Sequence, residues 1–154
     1  MATEVTLSDL AKEIDRFSRA HLEQQKAAVV RGLARSLPML AQRSPVDQGQ
    51  YANSWDLTVT ESEAIIGNFA PHSPIIEYGT RGGYLPPLAP LLAWAKRVLN
   101  DPSQPPDYSD EVQGLARGTQ WKIYHYGIVP KHILRDALPD MIENIKAEFL
   151  AMGG

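Results

Sequence analysis

Residues 55–68 read Trp-Asp-Leu-Thr-Val-Thr-Glu-Ser-Glu-Ala-Ile-Ile-Gly-Asn. In the first half, apolar and polar side chains alternate, which is the pattern of a β-strand with one buried and one solvated face. The sequence Glu61-Ser62-Glu63 then predicts a hairpin turn, and residues 64–68 predict the return strand. A third strand is expected from Ile75 to Tyr78. Together these residues predict a small antiparallel sheet.

A long amphipathic helix is predicted before the sheet, over residues 7–37, because apolar residues recur at helical spacing from Leu7 to Phe17 and beyond. Pro38 is expected to kink or end this helix. Such a helix spans about 45 Å, which is longer than the core of a domain of this size needs. Part of it is therefore expected to pack against a neighbouring subunit. A helix that merely has a polar middle, around His21, explains the same pattern.

Three further helices are predicted after the sheet, at residues 90–99, 110–126 and 131–151. The loop at residues 81–89 is rich in glycine and proline, which disfavour both regular structures. Residues 101–109 contain three prolines and predict an exposed, mobile linker.

Composition limits the class of protein. The 154 residues fit one domain, residues 1–154, with an α+β fold in which long N- and C-terminal helices cover a small antiparallel β-sheet. No cysteine is present, so disulfides and thiolate metal sites are excluded. The formal net charge of -3 argues against a general nucleic-acid binder. Neither a signal peptide nor a membrane span is expected.

Motifs for catalysis are not found in the sequence. The histidines His72, His125 and His132 do not have the spacing that places two imidazoles on one helical face, so no metal site is predicted. No serine lies in a Gly-x-Ser-x-Gly elbow, and no phosphate-binding glycine loop is present. We therefore expect a protein that is not an enzyme, without catalytic residues, metal or cofactor.

Three short segments occur in a fixed order between the helical ends. They are Ser-Pro-Val-Asp-Gln-Gly at residues 44–49, Phe-Ala-Pro at 69–71 leading to Ile-Glu-Tyr-Gly-Thr at 76–80, and Gly-Ile-Val-Pro at 127–130. In this order they resemble the tail-completion or neck proteins of long-tailed bacteriophages, which are related to the minor tail protein Z group. The resemblance spans roughly residues 35 to 150. Gln48 stands where that family usually has threonine, and Phe69 where it usually has tyrosine.

The resemblance implies a structural virion protein that forms a homo-oligomeric ring, commonly of six subunits, at the junction of the neck and the tail. Such a ring completes the tail and joins it to the head connector or stopper protein, and it contacts the tail tube or the tail terminator. DNA would pass through the lumen without specific binding. The expected location is the virion, with assembly in the cytoplasm of the bacterial host and no contact with a membrane.

Subunit contacts are expected from the loop at 81–87, the turn at 47–51 and the first helix. A cluster of aromatic residues near the end of the helix at 110–126 either forms an exposed patch for protein contact or packs under the turn at Gly127. Glu77 is expected to be an edge-strand carboxylate that pairs with Arg81 or with a neighbouring subunit. The predicted interface residues are Asp47, Gln48, Tyr51, Glu77, Tyr78, Arg81, Tyr84, Leu85, Trp121 and Tyr124.

Two other functions fit the sequence. The nearer alternative is a tail terminator, a ring at the same end of the tail that limits the length of the tail tube. The more distant one is a small metal-dependent hydrolase that uses His72, Glu77 or His132, with Glu77 as general base. A toxin-like or regulatory binding module has no motif in its favour.

Overall fold

The computed structural model describes residues 7–153, and side chains from Leu10 onward. The chain groups into two compact units, the first made of the residues up to 71 together with those from 133, and the second of residues 72–132. The interpretation of the chain as one domain stays a prediction. The described elements are α1 (Leu7–Arg43), a short 3-10 helix (Ala52–Ser54), β1 (Trp55–Val59), β2 (Ala64–Asn68), α2 (Ser73–Tyr78), α3 (Leu88–Leu99), α4 (Asp110–Tyr126) and α5 (Ile133–Met152).

In the first unit, β1 and β2 form the predicted antiparallel hairpin. Leu57 lies opposite Ile66 in the register, and both side chains are partly buried while Asp56 and Thr58 are exposed. The turn is closed by a hydrogen bond of 2.8 Å from the Thr60 amide to the Glu63 carbonyl. The alternating pattern therefore identified β1, and the turn signal identified β2 as the return strand. Helix α1 packs on the hairpin.

The long helices α1 and α5 pack against each other in the same unit, running antiparallel. The Arg31 and Arg35 side chains both reach the Glu148 carboxylate, at 2.8 and 2.7 Å. Farther along, the Asn144 amide donates to the Ser36 hydroxyl at 3.0 Å. The α+β fold, with long N- and C-terminal helices flanking a small antiparallel sheet, is confirmed.

The predicted end of the first helix at residue 37 is wrong, because α1 continues through Pro38 to Arg43. Proline removes the hydrogen bond to the carbonyl four residues earlier, which belongs to Ala34, and its ring crowds that carbonyl. Both residues are exposed, so water can reach that carbonyl. Beyond the proline, Leu40 is fully buried, and this burial favours continuing the helix. Pro139 likewise lies inside α5 without ending it.

The second unit has its core between α3 and α4. Ala95, Val112 and Ala116 are fully buried there, and Leu91, Trp94 and Leu115 are among the partly buried side chains that pack around them. The Ser109 hydroxyl accepts a hydrogen bond of 3.3 Å from the Val112 amide and caps the start of α4.

The segment 101–109 links α3 to α4 and has local structure of its own. The Asp101 carboxylate accepts hydrogen bonds from the Ser103 amide and the Ser109 hydroxyl, both at 2.8 Å. Hydrogen bonding by Ser103, and then by Ser109, holds the pKa of Asp101 below its ordinary value. The mobility expected of this linker stays a prediction.

The predicted third strand at residues 75–78 is wrong, because these residues form the short helix α2. Pro74 lies in the first helical turn, where the missing amide proton costs nothing and the fixed φ suits a helix. Gly79, at φ 69°, then ends the helix, and its amide donates to the Ile75 carbonyl at 2.8 Å. Extended pairing begins only after this glycine.

Candidate protein-interaction site

Two of the segments that carry the resemblance are paired in the second unit. Thr80, at the end of the Ile-Glu-Tyr-Gly-Thr segment, forms an antiparallel bridge with Ile128. The Thr80 amide donates to the Ile128 carbonyl at 2.9 Å, and the Ile128 amide donates back at 3.2 Å. The Ile128 amide also donates to the Thr80 hydroxyl at 3.0 Å. We call residues 76–80 together with 127–132 the junction.

The junction extends beyond this bridge. The amide of Lys131 donates to the carbonyl of Ile76 at 2.8 Å, and the amide of His132 donates to the carbonyl of Glu77 at 3.3 Å. The last turn of α2 is thereby held against the segment that follows α4. Backbone hydrogen bonds hold this arrangement, so it does not depend on contacts between the side chains of the junction.

Two glycines permit the close approach of the chains at the junction. Gly79 and Gly127 have φ values of 69° and 74°, in the region that side chains disfavour. A Cβ atom on Gly79 would overlap the Ile128 carbonyl oxygen, and one on Gly127 would overlap the Thr80 carbonyl oxygen. Each glycine is therefore required both by its own backbone angle and by the facing strand.

The loop after Thr80 is held on the last turns of α4. The Gly83 amide donates to the Tyr124 carbonyl at 2.7 Å, and the Gln120 amide group donates to the Pro86 carbonyl at 2.8 Å. Gly82 lies so close to the carbonyls of Tyr124 and His125 that a side chain would overlap them. The loop therefore has a fixed path along the helix end.

An exposed aromatic cluster covers the end of α4. The rings of Trp121 and His125 stack with centroids 4.1 Å apart, and the Tyr126 ring meets Trp121 edge-on at 5.9 Å. The Tyr124 ring meets His125 edge-on at 5.1 Å. Trp121 is 55% exposed and Tyr126 is 70% exposed. We call Trp121, Tyr124, His125 and Tyr126 the aromatic patch.

The arrangement is suited to protein contact. Large aromatic side chains that are exposed but held by their neighbours bury much apolar area on binding and lose little side-chain entropy. Val129 of the junction and Leu85 of the adjoining loop add exposed apolar area in the same unit. The His125 ring nitrogen lies 2.9 Å from the Trp121 carbonyl, and this hydrogen bond holds the ring in place.

Most of the predicted interface residues in the second unit are exposed. Tyr78 lies in the junction, Arg81, Tyr84 and Leu85 lie in the loop held on α4, and Trp121 and Tyr124 belong to the aromatic patch. Glu77 differs, since it is buried within a helix and does not lie on a strand edge. The expectation that Glu77 is an edge-strand carboxylate is therefore wrong, because α2 replaces the strand.

The other three predicted interface residues lie in the first unit. Asp47 and Gln48 are exposed in the turn after α1. Tyr51 is only 4% exposed, and its ring meets the Trp55 ring edge-on at 5.8 Å. Its burial leaves little of Tyr51 for a contact with another subunit. An interface role stays a prediction for all three residues.

Sequence reasoning missed the residues that hold this turn. The Trp55 indole donates to the buried Ser44 hydroxyl at 2.7 Å, and that hydroxyl donates to the Leu40 carbonyl at 2.7 Å. The Asn68 side chain donates to the Tyr51 carbonyl at 2.7 Å and accepts from the Ala70 amide at 3.0 Å. The only sequence signal was that Ser44 opens the Ser-Pro-Val-Asp-Gln-Gly segment.

A metal-dependent hydrolase needs a group of side chains that hold the metal ion. Within residues 7–153, no group of three or more histidine, aspartate or glutamate side chains is placed to hold a metal ion. His72, Glu77 and His132, the residues of the hydrolase alternative, belong to no such group. Among the described helices, none has the length and apolar character to cross a membrane.

The chain matches no protein-family model, no curated protein and no solved structure.

Proposed function

We propose that this chain is a structural virion protein of a tailed bacteriophage, which forms a ring at the neck and completes the tail for joining to the head. The order of the three segments resembles that family, and two of the segments meet in the fold. The observation that carries it is the junction, where Ile-Glu-Tyr-Gly-Thr and Gly-Ile-Val-Pro pair through their backbones. Segments that resemble one family and build one substructure are better explained by a common role than by chance.

The exposed aromatic patch next to the junction supports a role in assembly. A closed ring needs a surface on each subunit that meets a different surface on the next one. The patch, the loop at 81–87 and Tyr78 would supply one of these two surfaces, since most of these residues are exposed in the second unit. In this role the protein acts through geometry and contact, with six copies, the head connector and the tail tube as partners.

The experiment uses a phage that encodes this chain, with the gene deleted. Electron microscopy of the particles, followed by addition of the purified chain, tests the role directly. Tails of normal length that fail to join filled heads, and that join after addition of the chain, support tail completion. Overlong tails favour the terminator alternative, and unaltered infectious particles exclude a role in the neck.

The contribution of the patch is tested with a double variant, Trp121→Ala with Tyr126→Ala. Both residues are exposed, so the variant is expected to fold and yet to restore head joining poorly. A matched control is Val98→Ala, which removes an exposed apolar side chain from α3. Equal restoration by the double variant and the control would remove the patch from the proposed interface.

A further inference from the structure

The first turns of α1 extend beyond its partner α5. A cavity of about 280 Å³ near the end of α5 is lined by Gln24, Ala27, Arg31 and Met152, so the last turn of α5 lies beside the middle of α1. Residues 7–23 of α1 lie beyond that point. We call them the arm.

The arm carries an apolar stripe that is exposed in the described structure. Leu10 is 50% exposed, Ile14 is 60% exposed and Phe17 is 74% exposed. Their intervals of four and three residues are those of a coiled-coil seam. Exposed apolar side chains at this spacing, and on one face of a helix, indicate a surface that another helix covers.

The stripe continues a face that is already a helix–helix interface. Ala28 follows Ile14 by 14 residues, about four turns, so both lie on the same side of α1. Ala28 is fully buried, and one turn later Gly32 lies against Ile145 of α5. The arm therefore presents the same face that α5 covers farther along, over the turns that α5 does not reach.

Two ion pairs of the arm lie within the helix itself. Arg16 pairs with Glu13 at 3.2 Å, and Arg19 pairs with Asp15 at 2.8 Å. The stripe thus presents apolar side chains at coiled-coil spacing to a partner. The four charged residues named here already pair with each other, so they do not select an oppositely charged protein. A helix with the same spacing fits such a seam, and the arm of a second copy is such a helix.

We infer that two copies of this chain pair through their arms, antiparallel, about a two-fold axis. The partner's arm would lie end to end with α5 and run in the same direction. It would begin beside Gln24, where α5 ends at Met152. In that register Ile14 of one copy faces Phe17 of the other. This contact goes beyond the proposed neck ring, because a head-to-tail ring contains no two-fold contact.

The pairing is tested with the full chain by sedimentation equilibrium over a range of concentrations. The wild type is expected to form dimers or larger even-numbered assemblies, and Ile14→Lys with Phe17→Lys is expected to weaken association by more than roughly tenfold. The matched control is Leu22→Lys, which places the same charge on an exposed leucine of the arm that lies off the stripe. This control is expected to associate like the wild type.

Disulfide trapping tests the register, and the absence of native cysteine makes it selective. An equimolar mixture of Ile14→Cys and Phe17→Cys chains, one with a mass tag, is expected to give mainly mixed dimers on mild oxidation. A wild-type chain that stays monomeric at every concentration overturns the inference. So does association that is unchanged by the stripe variant, or crosslinking only between identical chains. Head joining in the phage assay is a separate readout, so failure of arm pairing and failure of the neck role are distinguishable.

Discussion

Gly32 of α1 lies directly against the backbone of Ile145 of α5. A Cβ atom on Gly32 would be 2.5 Å from the Ile145 Cα atom and 2.8 Å from its amide nitrogen. The two helix axes can approach this closely because the glycine has no side chain. Close contact at this point brings the Arg31 and Arg35 side chains within reach of Glu148 one turn away.

Gly32→Ala is expected to destabilise the first unit. Helix propensity alone would favour alanine by about 0.5–1 kcal/mol, but overpacking against a backbone typically costs about 1–3 kcal/mol. The expected result is a net loss in the free energy of unfolding, measured by denaturant titration. Gly118→Ala in α4 is the control, since no atom lies within 4 Å of its added Cβ. Propensity should then dominate and stabilise the protein, and a loss of similar size in both variants would contradict the close contact.

The two arginines that meet Glu148 predict a dependence of stability on pH. Hydrogen bonding by Arg31, and then by Arg35, lowers the pKa of Glu148 from its ordinary value. The folded state is therefore stabilised while the carboxylate is charged, at pH above the ordinary glutamate pKa. That contribution is lost as the pH falls through the lowered pKa of the folded state.

Glu148→Gln is accordingly expected to lower the Tm at neutral pH, and the difference from wild type should shrink in acid. Thermal melts between neutral pH and pH about 3 test this, because the ordinary glutamate pKa is about 4.3. Glu143→Gln is the control, since Glu143 forms only an exposed pair with Lys146 one turn away. A Tm difference for Glu148→Gln that is the same at all pH values would contradict the role of the ion pairs.

Local patterns were sufficient for the hairpin and for α4. The alternation from Trp55 to Val59 is a strand signal that needs no distant partner, and the Ser109 cap with the Gly127 stop bounds a helix from within. Local patterns failed where a short helix and a strand give the same signal in the sequence. Residues 75–78 are a short segment in which only Glu77 is charged, and the deciding feature is Pro74 in the first helical turn.

The sequence named many residues of the candidate site but not their arrangement, and their role in an interface stays a prediction. Thr80 and Ile128 are separated by 48 positions, so their pairing leaves no periodic signal in either segment. Whether Trp121 is buried or exposed depends on what packs beside α4. The periodicity of apolar residues in the sequence does not show what that is. The helix end predicted at Pro38 was wrong for the same reason, because continuation of α1 depends on the burial of Leu40 farther along the chain.

Ser44→Ala is expected to destabilise the first unit by about 1–3 kcal/mol, since it leaves the partly buried Trp55 indole without its acceptor. Ser44 is 5% exposed, so water replaces the lost hydroxyl poorly. Chemical denaturation gives the free energy of unfolding. The control is Ser54→Ala. The Ser54 hydroxyl donates an exposed hydrogen bond of 2.6 Å to the Gln50 carbonyl, so its removal should change the free energy of unfolding by less than about 0.5 kcal/mol. Equal effects of the two substitutions would exclude a special role for Ser44.

Gly127→Ala is expected to open the junction. The substitution places a side chain at φ 74° and ψ -162°, a region used almost only by glycine, which costs about 1–3 kcal/mol, and it adds overlap with the Thr80 carbonyl at an overpacking cost of about 1–3 kcal/mol. The expected result is faster hydrogen exchange of the Thr80 and Ile128 amides, which donate across the junction.

The comparison that isolates the overlap is Gly83→Ala. Gly83 also has a positive φ, of 103°, but no atom lies within 4 Å of its added Cβ, so only backbone strain is introduced. Exchange at Thr80 and Ile128 should then stay slow. The amide of residue 83 donates to the Tyr124 carbonyl and is left out of the comparison. If both variants accelerate exchange at Thr80 equally, strain alone explains the effect. Close packing of Gly127 on Thr80 would then not be what holds the two segments together.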